Sequence, residues 1–152
     1  MISYIFFIIL LALAAFLSVK ISIADFRRRI IPDAYLFPLM LIGLILISFY
    51  SFPINIQTAT IGATFGYIMA VITGLAFEKI KNSDQSPIGM GDIKLMGVGG
   101  LWLGTNGLAI ALIIACIIGM LWSRQNKQKF IPFAPFFLFG GFLSFIINLF
   151  LI

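Results

Sequence analysis

Histidine is absent from this 152-residue chain and cysteine occurs once. The first absence removes the side chain that most often serves as a general base near neutral pH and most often binds metals. The second excludes an internal disulfide or a cysteine-based zinc site, because Cys116 stands alone inside an apolar run. Charge is also scarce: Asp, Glu, Lys and Arg make up 10% of the residues, where soluble domains carry about 25%. No room is left for a sizeable soluble domain. Any chemistry therefore falls to five carboxylates, Asp25, Asp33, Glu78, Asp84 and Asp92.

What fills the space is apolar, at 62% of the chain. Uncharged runs cover Ile2 to Val19, Ala34 to Phe77, Leu95 to Trp122 and Phe130 to Ile152. Each reaches the roughly 18 residues that mark a membrane-spanning helix. The first lacks the positive region of a secretory signal, and its first positive charge, Lys20, follows the apolar stretch, so it reads as a retained helix. The second is too long for one span and is interrupted by Ser51-Phe52-Pro53-Ile54-Asn55, which reads as a turn. The third contains Thr105-Asn106-Gly107 flanked by Gly104, which predicts two short helices. The expected architecture is an all-α, polytopic membrane bundle of about six transmembrane helices, one domain over residues 1–152, with its N-terminus outside. In that topology nine of the ten Lys and Arg residues gather in cytoplasmic loops, as the positive-inside rule requires. A single helix over Leu95 to Trp122 would instead place the last basic loop outside. The net charge of +5 then meets anionic lipid headgroups, and nucleic acid is not an expected partner.

Small residues recur every fourth position at Gly62, Gly66, Ala70 and Gly74, a stripe that lets another helix backbone come close within lipid. Gly97, Gly100 and Gly104 make a second such line in the helix that follows Asp92.

All five carboxylates fall in or beside predicted cytoplasmic loops. Asp25 is expected just beyond the first helix, ahead of Arg27-Arg28-Arg29, and Asp33, directly after Pro32, is a natural first-turn acid of the second, favoured by the positive end of the helix dipole. Asp92 opens the fourth helix within Gly89-Met90-Gly91-Asp92-Ile93-Lys94, where the two glycines open otherwise closed backbone conformations and admit another chain. The spacing fits neither a phosphate loop nor a dinucleotide fingerprint. Asp25 and Asp92 together offer hydrolysis without histidine, thiol or metal. Two carboxylates held close cannot both ionise easily, so one activates water while the other, protonated, polarises a peptide carbonyl. Nothing in the sequence calls for a cofactor.

Asp25 followed by Pro32-Asp33, then Gly89-Met90-Gly91-Asp92-Ile93-Lys94-Leu95, then Ile131-Pro132-Phe133-Ala134-Pro135-Phe136, in that order, resemble the prepilin peptidases, membrane aspartic proteases of the Gly-x-Gly-Asp class. The resemblance extends over residues 21–139. It implies that Asp25 and Asp92 are catalytic. Gly89, Gly91, Pro32, Asp33 and Lys94 then serve as motif or support, and Asp33 is structural or substrate-contacting because the family also accepts Asn there. The implied substrates are type IV pilin-like precursors, cut after a glycine that precedes their apolar helix. The implied location is the cytoplasmic face of a prokaryotic inner membrane. Long family members carry an additional cysteine-containing N-methyltransferase region, and this chain resembles the short, peptidase-only form. Ala134 stands where relatives often have Gly. The runner-up reading is a small transporter or ion pathway using intramembrane acids. It predicts polar residues through the bundle midplane, whereas those portions of four predicted helices are almost wholly apolar.

Overall fold

The computed structural model describes residues 2–81, 88–126 and 131–151. Every regular element among them is helical: α1 (Ile2–Arg28), α2 (Asp33–Tyr50), α3 (Ile56–Lys81), α4 (Met90–Asn126) and α5 (Phe133–Leu151). The first four are long and apolar enough to cross a membrane, and α5 is a shorter apolar helix. Exposed Ile, Leu and Phe side chains ring the bundle, the surface that lipid accepts and water does not.

The turn read at Ser51 to Asn55 is present. Ser51, in the left-handed conformation, ends α2 by donating its main-chain N–H to Ile47 O. Asn55 then caps α3, its Oδ1 accepting the Thr58 N–H at 2.8 Å.

The break expected at Thr105-Asn106-Gly107 lies one residue earlier. Gly104 adopts φ 67°, ψ −178°, a conformation open to glycine and strained for other residues, inside what is otherwise the continuous helix α4. The chain reverses there. Gly66 of α3 lies against both Met96 O and a methyl of Leu108, residues that a straight helix would hold about 18 Å apart. Gly104 itself packs on Thr58 beside the α2–α3 turn. Trp122, near the far end of α4, returns to Phe26 of α1 with ring centroids 6.0 Å apart.

Both small-residue lines face one another, with Gly62 against the main chain of Gly100 and Gly104. This close backbone approach makes α3 and the first half of α4 one unit. Ala111 receives Gly140 in the same way, joining the second half of α4 to α5. At the Pro53 end, Phe7, Tyr50, Phe52 and Phe145 form a chain of ring contacts, and the Tyr50 hydroxyl donates to Ser3 O at 3.0 Å. The opposite end gathers the C-terminus of α1 and the N-termini of α2, α4 and α5.

Candidate active site

Asp25 continues the buried stripe of α1. Leu10, Ala14, Leu17 and Ile21 recur at three- and four-residue steps and face the core, and the next step brings the Asp25 carboxyl inward at 5% exposure. Burying such a group costs several kcal/mol unless it is hydrogen-bonded. The partner is the first turn of α5: Asp25 Oδ2 accepts the Ala134 N–H at 2.8 Å, and the Phe133 N–H also points to this carboxyl. These are among the helix N–H groups that have no partner within their own helix. No acid of α5 itself sits in that turn, so Asp25 satisfies it from another helix. Pro132, fully buried, sets the entry of the chain. Directly beyond, Arg29 turns left-handed (φ 55°) and ends α1, and its side chain acts electrostatically on Asp25.

Asp92 stands in the first turn of α4. Gly89 O receives the Asp92 and Ile93 N–H groups at 3.0 and 3.2 Å, and the Asp92 carboxylate in turn accepts the Gly89 N–H. This reciprocal arrangement is half of a capping box, with the acid at its third helical position. The two motif glycines differ from the expectation of unusual backbone conformations, since neither has a positive φ. Close approach is what Gly91 provides: a Cβ there would lie 2.9 Å from Cβ of Ile31, in the loop that follows Asp25. That contact draws the start of α4 against the end of α1. Asp25 and Asp92, far apart in sequence, are thereby brought near enough to act electrostatically on each other.

Lys94 turns away from this pair. Its Nζ donates to both carboxylate oxygens of Asp33, at 2.9 and 2.7 Å, tying the first turn of α4 to the first turn of α2. The Phe37 ring lies 5.9 Å from the same ammonium. Both members of the ion pair are partly exposed, at 36% for Lys94 and 48% for Asp33, so its stabilisation is modest. Pro32 precedes α2 as its N-cap residue in extended conformation and gives no side-chain cap. Glu78 lies in the last turns of α3, while Asp84 falls outside the described residues. Among the described residues, no group of three or more His, Cys, Asp or Glu could hold a metal ion.

Two features were missed by sequence reasoning. The α5 main chain as the partner of Asp25 could have been suspected from the paired prolines Pro132 and Pro135, which mark a helix start and leave the N–H groups of Phe133 and Ala134 free between them. No sequence signal marks the second, a cavity of about 510 Å³ between α2, α3 and the first half of α4, with Lys94 in its wall.

The model of the type IV leader peptidase family matches residues 4–123. This chain belongs to that family. Similar curated proteins include the prepilin leader peptidase/N-methyltransferases of Dichelobacter nodosus (30% identity, covering 84% of this chain and 45% of that protein) and Aeromonas hydrophila (27%, 87% and 47%). That of Burkholderia pseudomallei strain 1026b is 30% identical over 86% of this chain and 45% of its own length. The chain thus spans about half the length of the curated relatives it matches. No solved structure matches it significantly. The matched region holds Asp25, Asp33, Asp92 and Lys94, and stops short of the α5 turn that holds Asp25.

Proposed function

We propose that this chain is a membrane aspartic endopeptidase that removes the leader from type IV pilin-like precursors, with Asp25 and Asp92 as its catalytic pair. The observation that supports the reading is the convergence of two otherwise unrelated helix ends, which brings Asp92 within electrostatic reach of a buried Asp25 oriented by the first turn of α5. The ionised member of the pair takes a proton from water, and the hydroxide adds to the scissile carbonyl as the protonated member polarises its oxygen. Collapse of the tetrahedral intermediate breaks the C–N bond, and the acid proton goes to the leaving nitrogen. One water is consumed, giving a carboxylate on the leader and an amine on the trimmed chain. The pair titrates as one unit.

The topology in this proposal has six crossings, counting the two halves of α4 separately, with the N-terminus outside. Support comes from the reversal at Gly104 and from Arg27, Arg28 and Arg29 beside Asp25, at the end the positive-inside rule assigns to the cytoplasm. Leader removal then takes place at the cytoplasmic face of a prokaryotic cell membrane.

The test is coexpression with a precursor that carries a short basic leader, a glycine and an apolar segment. Asp25→Asn and Asp92→Asn should each accumulate in the membrane yet leave the precursor uncut. Full processing by either variant would remove the assignment.

A further inference from the structure

α2 and α3 touch only briefly, and the space between them is closed on its inner side by the first half of α4. The resulting groove, about 510 Å³, is walled by Phe37, Met40 and Leu44 of α2 and by Thr64, Tyr67 and Ile68 of α3. From Phe37 to Leu44 it runs about 10 Å along the bundle at the helical rise. Its lining is mostly apolar, with hydroxyls on Thr64 and Tyr67 and one charged residue, Lys94, which at one end holds Asp33. Lys94 is two residues, about 3 Å of helical rise, from Asp92, so the groove starts at the level of the acid pair and descends into the apolar zone.

We propose that this groove seats the apolar segment of the precursor, entering sideways from lipid, with the cleavable junction passing from the Asp33–Lys94 mouth across the first turn of α4 to Asp92. The proposal rests on the peptidase reading above and adds the place and direction of substrate entry. A helix 10 Å across and 10 Å long occupies roughly 800 Å³, so the groove takes one face of such a helix and leaves the other in lipid. The mouth chooses between occupants. A bond inside a helix is shielded by the helix's own hydrogen bonds, so the junction must be unwound for attack, which leaves main-chain N–H and C=O groups in need of partners. Asp33 can accept from such an N–H and Lys94 can donate to such a C=O, a complementarity that a peptide has and an acyl chain lacks. An anionic headgroup is less well matched, because the Lys94 charge is already neutralised by both oxygens of Asp33.

The experiment uses the full chain in phosphatidylcholine/phosphatidylglycerol vesicles with a synthetic precursor: a basic leader, a glycine and an apolar segment of about 20 residues. Leu44→Trp and Thr64→Trp, which fill the groove, should raise KM for this precursor at least about fivefold with kcat little changed. Ile61→Trp, whose exposed side chain lies outside the groove, should match the wild type. A truncated peptide lacking the apolar segment should be cut equally by all four proteins. In a separate arm, a photo-reactive residue in place of Ile68 in Asp92→Asn should capture the apolar segment. An unchanged KM in the Trp variants, or capture of lipid or of a second copy in place of the precursor, overturns the proposal. Wild-type protein that leaves the precursor uncut sinks the peptidase reading instead, and the capture arm reports on the groove independently.

Discussion

The contact between α3 and the first half of α4 sets a quantitative expectation for Gly62→Val. A Cβ at Gly62 would lie 2.7 Å from the Gly104 Cα and 2.8 Å from its carbonyl carbon, and would also collide with the Gly100 carbonyl oxygen. All of these are main-chain atoms, which cannot rotate away. Carbon atoms pack best at about 3.5–4.0 Å, so the two helices must part by roughly 1 Å. Overpacking of this kind costs about 1–3 kcal/mol, and the better helix propensity of Val over Gly returns only about 0.4. For a chain of this size each kcal/mol moves the midpoint by roughly 2–4 °C, so the net cost should lower Tm by about 1–10 °C. Unfolding in detergent followed by the fluorescence of Trp102 and Trp122 measures it. Gly141→Ala is the control, because its Cβ would meet only a Leu103 methyl at 3.4 Å, and it should stay within about 2 °C of the wild type. A Gly62→Val protein as stable as the control would refute the backbone-on-backbone packing of α3 and α4.

Replacing Ala134 separates main chain from side chain. Ala134→Pro removes the N–H that Asp25 accepts and should lower kcat at least about tenfold, whereas Ala134→Gly keeps the donor and should remain within a few-fold of wild type. Equal activity of the two would mean that the α5 turn does not orient Asp25. For the ion pair, a double-mutant cycle on Asp33→Asn and Lys94→Met should show a stability coupling below about 1 kcal/mol, read from denaturation of the four proteins. A much larger coupling would show that the pair is less solvated than its exposure implies. Glu78→Gln and Asp84→Asn should process precursor normally in the coexpression assay, and loss of processing in both would demand a different acid pair.

Much of the bundle was legible because lipid imposes a simple rule. Long uncharged runs must be helices, and the Ser51 to Asn55 cluster had to interrupt one of them. The Gly62 and Gly100 lines were readable as helix contacts for the same reason. The reversal at Gly104 was displaced by one residue because Thr105, Asn106 and Gly107 carry the stronger local turn signal, while only Gly104 takes the positive φ. Asp25 was legible in two ways, as an acid next to an apolar helix and as part of an ordered set of motifs. Its burial follows from the i, i+4 continuation of Leu17 and Ile21. Its partner was illegible, because a main-chain N–H leaves no residue type to recognise. Lys94, two helical positions from Asp92, lies on another face, and its pairing with Asp33 depends on how the starts of α2 and α4 are juxtaposed. The groove is likewise a property of the gap between helices and belongs to no single segment.

The claim that Asp25 and Asp92 act as one catalytic unit is tested most directly by cleavage rates of Asp25→Asn, Asp92→Asn and the double variant on the same precursor. Residues that work as a unit lose nearly everything on the first substitution, so the double variant should be no slower than either single one. Near wild-type processing by either single variant, or losses that multiply in the double variant, would contradict the account.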